Sequence, residues 1–364
     1  MSVTQSDIAE RLGISLITVH RALNNTGYVS AALREKILSY AKEVNYVPHK
    51  ASQILVRNKT RKIAVFTSSL PHYFWNDIRT GVMIGAEQIQ PFNYQAHHHM
   101  VPDNDSRSYL DSLEKELGEG LEAVAFANQW IYDMDAILSR IDASGIPYVT
   151  LNVDAPESRR QCYIGPDYSA GGSLAAEFIG KALMLKDGAR VLALNVRAEK
   201  PPESGAPDIN QLRLDGFSKV MRDEYPGVDV EADFSTTGIA PGKIEKHLEG
   251  LLKDKAGRFD AIYLVPAYNA PFVRVAERLG IERKVVVLHD LDTSSYHYLE
   301  KGLVTAVIYQ NPILQGYYAV KILENILDSG SRPERETISI VHSLVFKHNK
   351  DIYKNHYLFA KMIE

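Results

Sequence analysis

The string TQSDIAERLGISLITVHRALN, residues 4–24, decides how the chain begins and what the rest must serve. Thr4 stands as an N-cap with Asp7 three residues on, a capping-box spacing that predicts a helix over 4–12. Ile8, Ala9 and Leu12 share one face of it, and Gly13 follows where a left-handed closing residue is needed. Ser15 offers a second cap, and 16–24 reads as a helix with Val19, Ala22 and Leu23 inward. Two helices joined by so tight a glycine turn cross steeply, which is helix-turn-helix geometry. Ser30 then caps a third helix, AALREKILSYAKEVN, with Leu33, Ile37, Ala41 and Val44 inward. A plain three-helix bundle would satisfy the same pattern.

Charge separates this head from the body. Residues 1–62 hold ten Lys/Arg against four Asp/Glu, a net of +6, whereas the remainder carries −10. A basic tip on an acidic body suits phosphate binding at one end. With 364 residues, the chain is long enough for two or three compact units. It has no apolar run of membrane-spanning length, and its opening, MSVTQSDIAE, lacks the features of a signal peptide. The single cysteine, Cys162, excludes an internal disulfide framework and fits a reducing cytoplasm, where a small buried residue is its simplest role.

The head has a specific likeness. The pattern V-T-x-x-D-I-A-E-x-L-G-I-S-x-x-T-V-x-R-A-L-N, followed by V-S, R-E-K-I and N-Y-V-P, resembles the lactose-repressor family over residues 3–48. The resemblance implies that helix 16–24 enters the major groove of operator DNA. Leu16, Ile17 and His20 would face base edges, with Thr18, Arg21 and Asn24 on bases or backbone. Short polar groups at helix starts, here Thr4, Ser15 and Ser30, are of the type that holds phosphates. Leu16 and Ile17 replace a polar pair that many relatives carry, and apolar groups there suit thymine methyls. Residues 49–61 resemble the family's hinge helix. Ala51, Ser52 and Leu55 fall on one face if 50–56 is helical, and Leu55 would wedge into the minor groove.

From residue 62 apolar runs recur: KIAVFT, EAVAFA, YVTLNV, CYIGP, ARVLALNV, DAIYLVP, KVVVLHD and VTAVIY. Amphipathic stretches separate them, the signature of parallel sheets with crossover helices, whose ligands sit beyond the carboxyl ends of the strands. No G-x-G-x-x-G follows the first strand, and neither a P-loop nor G-x-S-x-G occurs. His97, His98 and His99 alternate faces if extended, so the three cannot close on one ion, and neither metal nor other cofactor is expected. The acid pairs Asp290/Asp292 and Asp154/Glu157 stand in no glycosidase pattern, so no enzyme is expected.

Residues 62–345 resemble the periplasmic ribose-binding-protein-like sensor of the same family. The resemblance implies an α/β fold of the periplasmic-binding-protein type I: two Rossmann-like lobes behind a small all-α head. It points to Phe74 and Trp75 as stacking rings and to Arg213, Asp290 and Gln310 as ligand contacts. Asn152 stands where close sugar binders often carry an acid; Asp154 and Asn269 are further contacts. Carboxylate, amide and guanidinium groups pair vicinal hydroxyls and reject mismatched sugars. Dull alternatives stay open: Arg213 bridging to a surface acid, Asp290 capping a helix, Phe74 and Trp75 as core.

Lobe 1 is read as 62–155 plus 291–322 and lobe 2 as 160–289 plus 324–345. Crossovers would fall near 156–160, 289–292 and 322–326, and 346–364 shows no leucine heptad. The whole reads as a cytoplasmic homodimeric repressor of a pseudo-palindromic operator, controlled by a sugar or polyol. A sugar phosphate or purine effector, and a sugar-acting enzyme with a DNA-binding head, are the competing readings.

Overall fold

The computed structural model describes residues 3–23, 28–44, 46, 59–129, 131–196, 207–281 and 283–354. In the head, α1 (Gln5–Leu12), α2 (Leu16–Leu23) and α3 (Ala31–Glu43) pack around Ile8, Ala9, Val19, Ala22, Ile37 and Ala41. The α1 start is a full capping box between Thr4 and Asp7, and Gly13 closes it at φ 65°. Ser15 caps α2 by accepting from the Thr18 amide at 3.2 Å. Ser30 departs from expectation: it precedes α3 but its side chain makes no capping bond.

The body contains two six-stranded sheets. The first has the order β11-β5-β4-β3-β1-β2, with β1 Arg61–Ser68, β2 Tyr94–Val101, β3 Leu121–Phe126, β4 Tyr148–Leu151, β5 Tyr163–Gly165 and β11 Thr337–Ser339. All its pairs are parallel. The second runs β12-β10-β9-β8-β6-β7, with β6 Arg190–Leu194, β7 Asp229–Asp233, β8 Ala261–Leu264, β9 Val285–His289, β10 Ala306–Tyr309 and β12 Ser343–Val345. Only β12 is antiparallel to its neighbour. The inner strands are buried along most of their length, as expected of sheets covered on both faces.

Helices α4 (His72–Ile89), α5 (Ser106–Gly118), α6 (Met134–Ser144) and α12 (Pro312–Ser329) cover the first sheet. The second is covered by α7 (Tyr168–Leu183), α8 (Ile209–Glu224), α9 (Ile244–Lys255), α10 (Asn269–Arg278) and α11 (Thr293–Lys301). A last turn, α13 (Lys350–Lys354), places Tyr353 against Tyr309. Each lobe has one helix pair that touches backbone to backbone through glycine. A Cβ on Gly81 of α4 would lie 1.9 Å from the Ile313 carbonyl oxygen, and one on Gly216 of α8 would lie 2.0 Å from that of Ser169.

The division between lobes differs from the expected one. The chain crosses after β5 at 166–167, after β10 at 310–311 and between β11 and β12 at 340–342. Residues 293–309, assigned from sequence to lobe 1, therefore build lobe 2 as α11 and β10, while α12 packs on lobe 1. Strand β5, expected in lobe 2, is in the first sheet, and 324–345 is split between the lobes. Strands β5, β11 and β12 are three residues each, too short for any periodicity to assign them to a sheet.

Candidate functional site

Beyond the carboxyl end of β4, Asn152 is buried at φ 60°, in the left-handed region that asparagine tolerates. Its Nδ2 donates to the Gln315 side-chain oxygen at 3.2 Å and that of Gln310 at 3.4 Å. Gln310 donates in turn to Asp290 Oδ1 at 2.7 Å. This amide–amide–carboxylate chain runs from lobe 1 to lobe 2 beside two of the three crossings. Asp290 also sits at positive φ, 65°, and a strained residue at a strand end is a familiar mark of a binding site. Burial raises its carboxyl pKa, against the opposing pull of Arg213 and the Gln310 bond.

Arg213 lies on α8, nearly sealed from solvent, with Nη1 donating to the Val265 carbonyl at 3.1 Å. Its guanidinium is 5.3 Å from the centre of the Tyr168 ring, and its Nε has no partner among the described residues. The bland alternative of a surface bridge is thereby excluded. Asn269 opens α10 and donates to the carbonyls of His289 (2.8 Å) and Asp290 (3.0 Å), fixing the loop that presents Asp290; its Oδ1 has no partner among the described residues. Asp290 is not the cap of α11, a role that Asp292 performs.

The aromatic group at the start of α4 divides its work. Phe74 and Trp75 pack edge to face at 5.0 Å within the lobe 1 core, and Trp75 Nε1 donates to the Leu70 carbonyl at 2.8 Å. Tyr73 beside them has a buried hydroxyl without a partner among the described residues. Its pKa is raised by burial and then by Asp290 and Asp292, which places it in the acidic group. Asp77, one turn on, is pushed up to about 7 by burial and by Asp290 across the seam. Asp154 stands apart. Its carboxylate accepts from the Thr150 hydroxyl (2.7 Å), the Ala155 amide (2.8 Å) and Arg160 (2.8 Å), a brace within lobe 1.

The sequence reading missed Tyr73, Asp77, Asn128, Tyr168, Asn195 and Gln315. Tyr168 donates its hydroxyl to the Asn152 carbonyl at 3.0 Å. Asn128 and Asn195 follow β3 and β6, and each has one buried polar atom without a partner among the described residues. Position after a strand was an available signal for those two.

In the head, Leu16 (49% exposed) and Ile17 (62%) project from the start of α2, so neither is helix packing. Arg21 is also exposed, while Thr18 and His20 are half-buried. Thr4 both donates to and accepts from Asp7. Asn24, Ala51, Ser52 and Leu55 lie outside the described residues.

Two family profiles match. "Periplasmic binding protein domain" covers residues 63–331, and "Bacterial regulatory proteins, lacI family" covers 4–49. The chain belongs to the periplasmic-binding-protein-domain family and carries a lacI-family head. The lactose operon repressor of Escherichia coli is 37% identical over 151 residues, 42% of this chain and 41% of that protein. The transcriptional repressor PurR of Vibrio parahaemolyticus is 25% identical over 182 residues, 48% of this chain and 51% of that one. The chain thus spans about half the length, or less, of these curated relatives.

Solved structures share the fold of the binding-protein body. An arabinose binding protein, AraP, from Geobacillus stearothermophilus superposes with a TM-score of 0.67 at 17% identity, covering 81% of this chain and 99% of its own. A crystal structure of a putative LacI transcriptional regulator from Bacteroides fragilis gives 0.66 at 18% identity, covering 81% and 100%. The buried polar chain through Asn152, Gln310 and Asp290 thus lies at the junction of the two lobes of the binding-protein body.

Proposed function

We propose that the protein is a transcription regulator whose affinity for operator DNA is set by a small polyhydroxylated molecule bound between the lobes. The observation that carries this reading is the buried Asn152–Gln310–Asp290 chain, with Arg213 Nε, Asn269 Oδ1 and the Tyr73 hydroxyl close by in the fold and without partners among the described residues. Buried polar groups need hydrogen bonds, and hydroxyls supply both donors and acceptors. The ligand contacts are Tyr73, Asn152, Arg213, Asn269, Asp290 and Gln310, with Phe74 and Trp75 as the apolar wall behind Tyr73. Asp154 is left out because its carboxylate is already bound.

Electrostatics favours a neutral effector. Asp290 senses both Arg213 and Asp292, and Tyr73 senses these and Asp77, so a phosphate would enter beside several carboxyls with one guanidinium to meet it. A sugar or polyol meets no such repulsion, whereas the sugar-phosphate reading does.

Ligand binding favours the closed arrangement of the lobes. Lobe 1 begins with β1 at Arg61, where the linker of residues 49–61 ends, so a change of lobe angle is passed to the segment that bears the head. Two heads on a cytoplasmic homodimer would read a pseudo-palindromic site, and a coupling of about 1–3 kcal/mol makes a usable switch. The experiment is isothermal titration of the full chain against free sugars, polyols, sugar phosphates and purines. Binding confined to free polyhydroxylated compounds is the expected result; binding only to phosphorylated or purine ligands would remove the assignment.

A further inference from the structure

Away from the junction of the lobes, lobe 1 has a second cluster of polar groups, where edge strand β2 meets α5. Strand β2 is the edge of its sheet, and its register pairs Ala64 with His97 and Phe66 with His99. Those two histidines therefore share the face covered by α5. His98 points to the opposite face, where its Nε2 meets the Thr67 hydroxyl at 2.9 Å. On α5 the inward positions are Tyr109, Leu113 and Glu116, so a carboxylate stands where an apolar side chain would continue the stripe. Glu116 is 4% exposed.

Both histidines aim at it with different ring atoms. His97 Nδ1 is 2.9 Å and His99 Nε2 2.7 Å from the same oxygen, Glu116 Oε1. The other oxygen, Oε2, is buried and has no partner among the described residues. The three donor groups lie within 4.8 Å of one another. His99 is held in orientation by stacking on Phe66, ring centres 4.7 Å apart. Hydrogen bonding alone uses one carboxylate oxygen twice and leaves its twin bare. A divalent ion would engage the carboxylate and both imidazoles together.

We infer that His97, His99 and Glu116 form a binding site for a divalent transition metal of the zinc class, clamping α5 to the edge strand of lobe 1. Two imidazoles and a carboxylate match the donor preference of zinc, and three protein ligands leave a fourth position for water. The histidine side chains are 31% and 28% exposed, which gives an ion a path in. This departs from the sequence expectation of no metal, which weighed three consecutive histidines and could not see Glu116.

The test uses the full chain freed of metal with a chelator, then titrated with Zn²⁺ alone by calorimetry. The wild type should take one equivalent and melt at higher temperature when loaded. His97→Gln and Glu116→Gln should each lower affinity at least tenfold, while His98→Gln should not. Far-UV circular dichroism of each variant reports folding. X-ray absorption of the loaded wild type, which needs no variant, should show two imidazoles on the zinc. No binding by the wild type, a zinc shell with fewer than two imidazoles, or affinity unchanged in Glu116→Gln would overturn the inference.

Discussion

At the scale of single residues, Asp77 and Asp290 set a test in pH. Burial, and for Asp77 the facing Asp290, raises both carboxyls, Asp77 to about 7. A carboxyl raised in the folded protein favours folding while protonated, and that contribution is lost as pH rises from the ordinary carboxylate range through about 7. Asp77→Asn should therefore gain melting temperature relative to wild type as pH climbs from 4 to 8; a constant difference would contradict the placement of Asp77. Arg213→Ala should abolish the response to effector and weaken its binding tenfold or more, since a bond to a charged group contributes about 1.5–3 kcal/mol. Binding to DNA should persist, and its loss would make the arginine structural. Ile17→Ala should weaken operator binding without lowering the melting temperature, because the side chain is mostly exposed; a clear drop in stability would make it a packing residue. Residues that follow long apolar runs, such as Asn152, Asp290 and Gln310, were legible in the sequence. Tyr73 and Asp77 were not, because the signal at the start of α4 was aromatic content, which cannot say which ring is core. The zinc-class ligands were half legible: two histidines in alternation, with their carboxylate 17 and 19 residues away on a helix whose phase the sequence does not state.

At the scale of elements, the glycine contacts govern where the site residues stand. Gly216 of α8 meets α7 at Ser169, and Gly172 of α7 meets the Arg213 carbonyl, where a Cβ would lie 1.8 Å away. The same contact that joins these helices thus fixes the height of Arg213. Gly216→Ala should force α8 outward, costing about 1–3 kcal/mol, and should reduce effector affinity in proportion to the displacement of Arg213. Thermal melting with effector titration checks this; full stability together with full affinity would show that the helices can part freely. Helices of the head were legible from caps and spacing, since Thr4, Gly13 and Ser15 each impose a local geometry. Ser30 failed as a cap because sequence position alone does not orient a hydroxyl. The lobe boundaries failed for a different reason: three-residue strands carry no period, and their sheet is chosen by long-range pairing.

At the scale of the whole molecule, a basic three-helix head and a two-lobed body are joined in one chain, and regulation requires that the two be coupled. Three crossings at 166–167, 310–311 and 340–342 connect the lobes, and the polar chain at Asn152, Gln310 and Asp290 spans the same seam. Opening the lobes would strain or break those bonds, so a ligand that completes them biases the angle between the lobes. The most direct test selects operator sequences from random duplexes with the purified full chain, then measures affinity for the selected site by fluorescence anisotropy. Measurements are made across salt concentrations, with and without each neutral polyhydroxylated compound that binds by calorimetry. The expected result is a pseudo-palindromic site, affinity that falls steeply as salt rises, and a shift of about fivefold or more on adding the bound compound. A chain that selects no sequence, or whose operator affinity is the same with its cleft filled and empty, would contradict it.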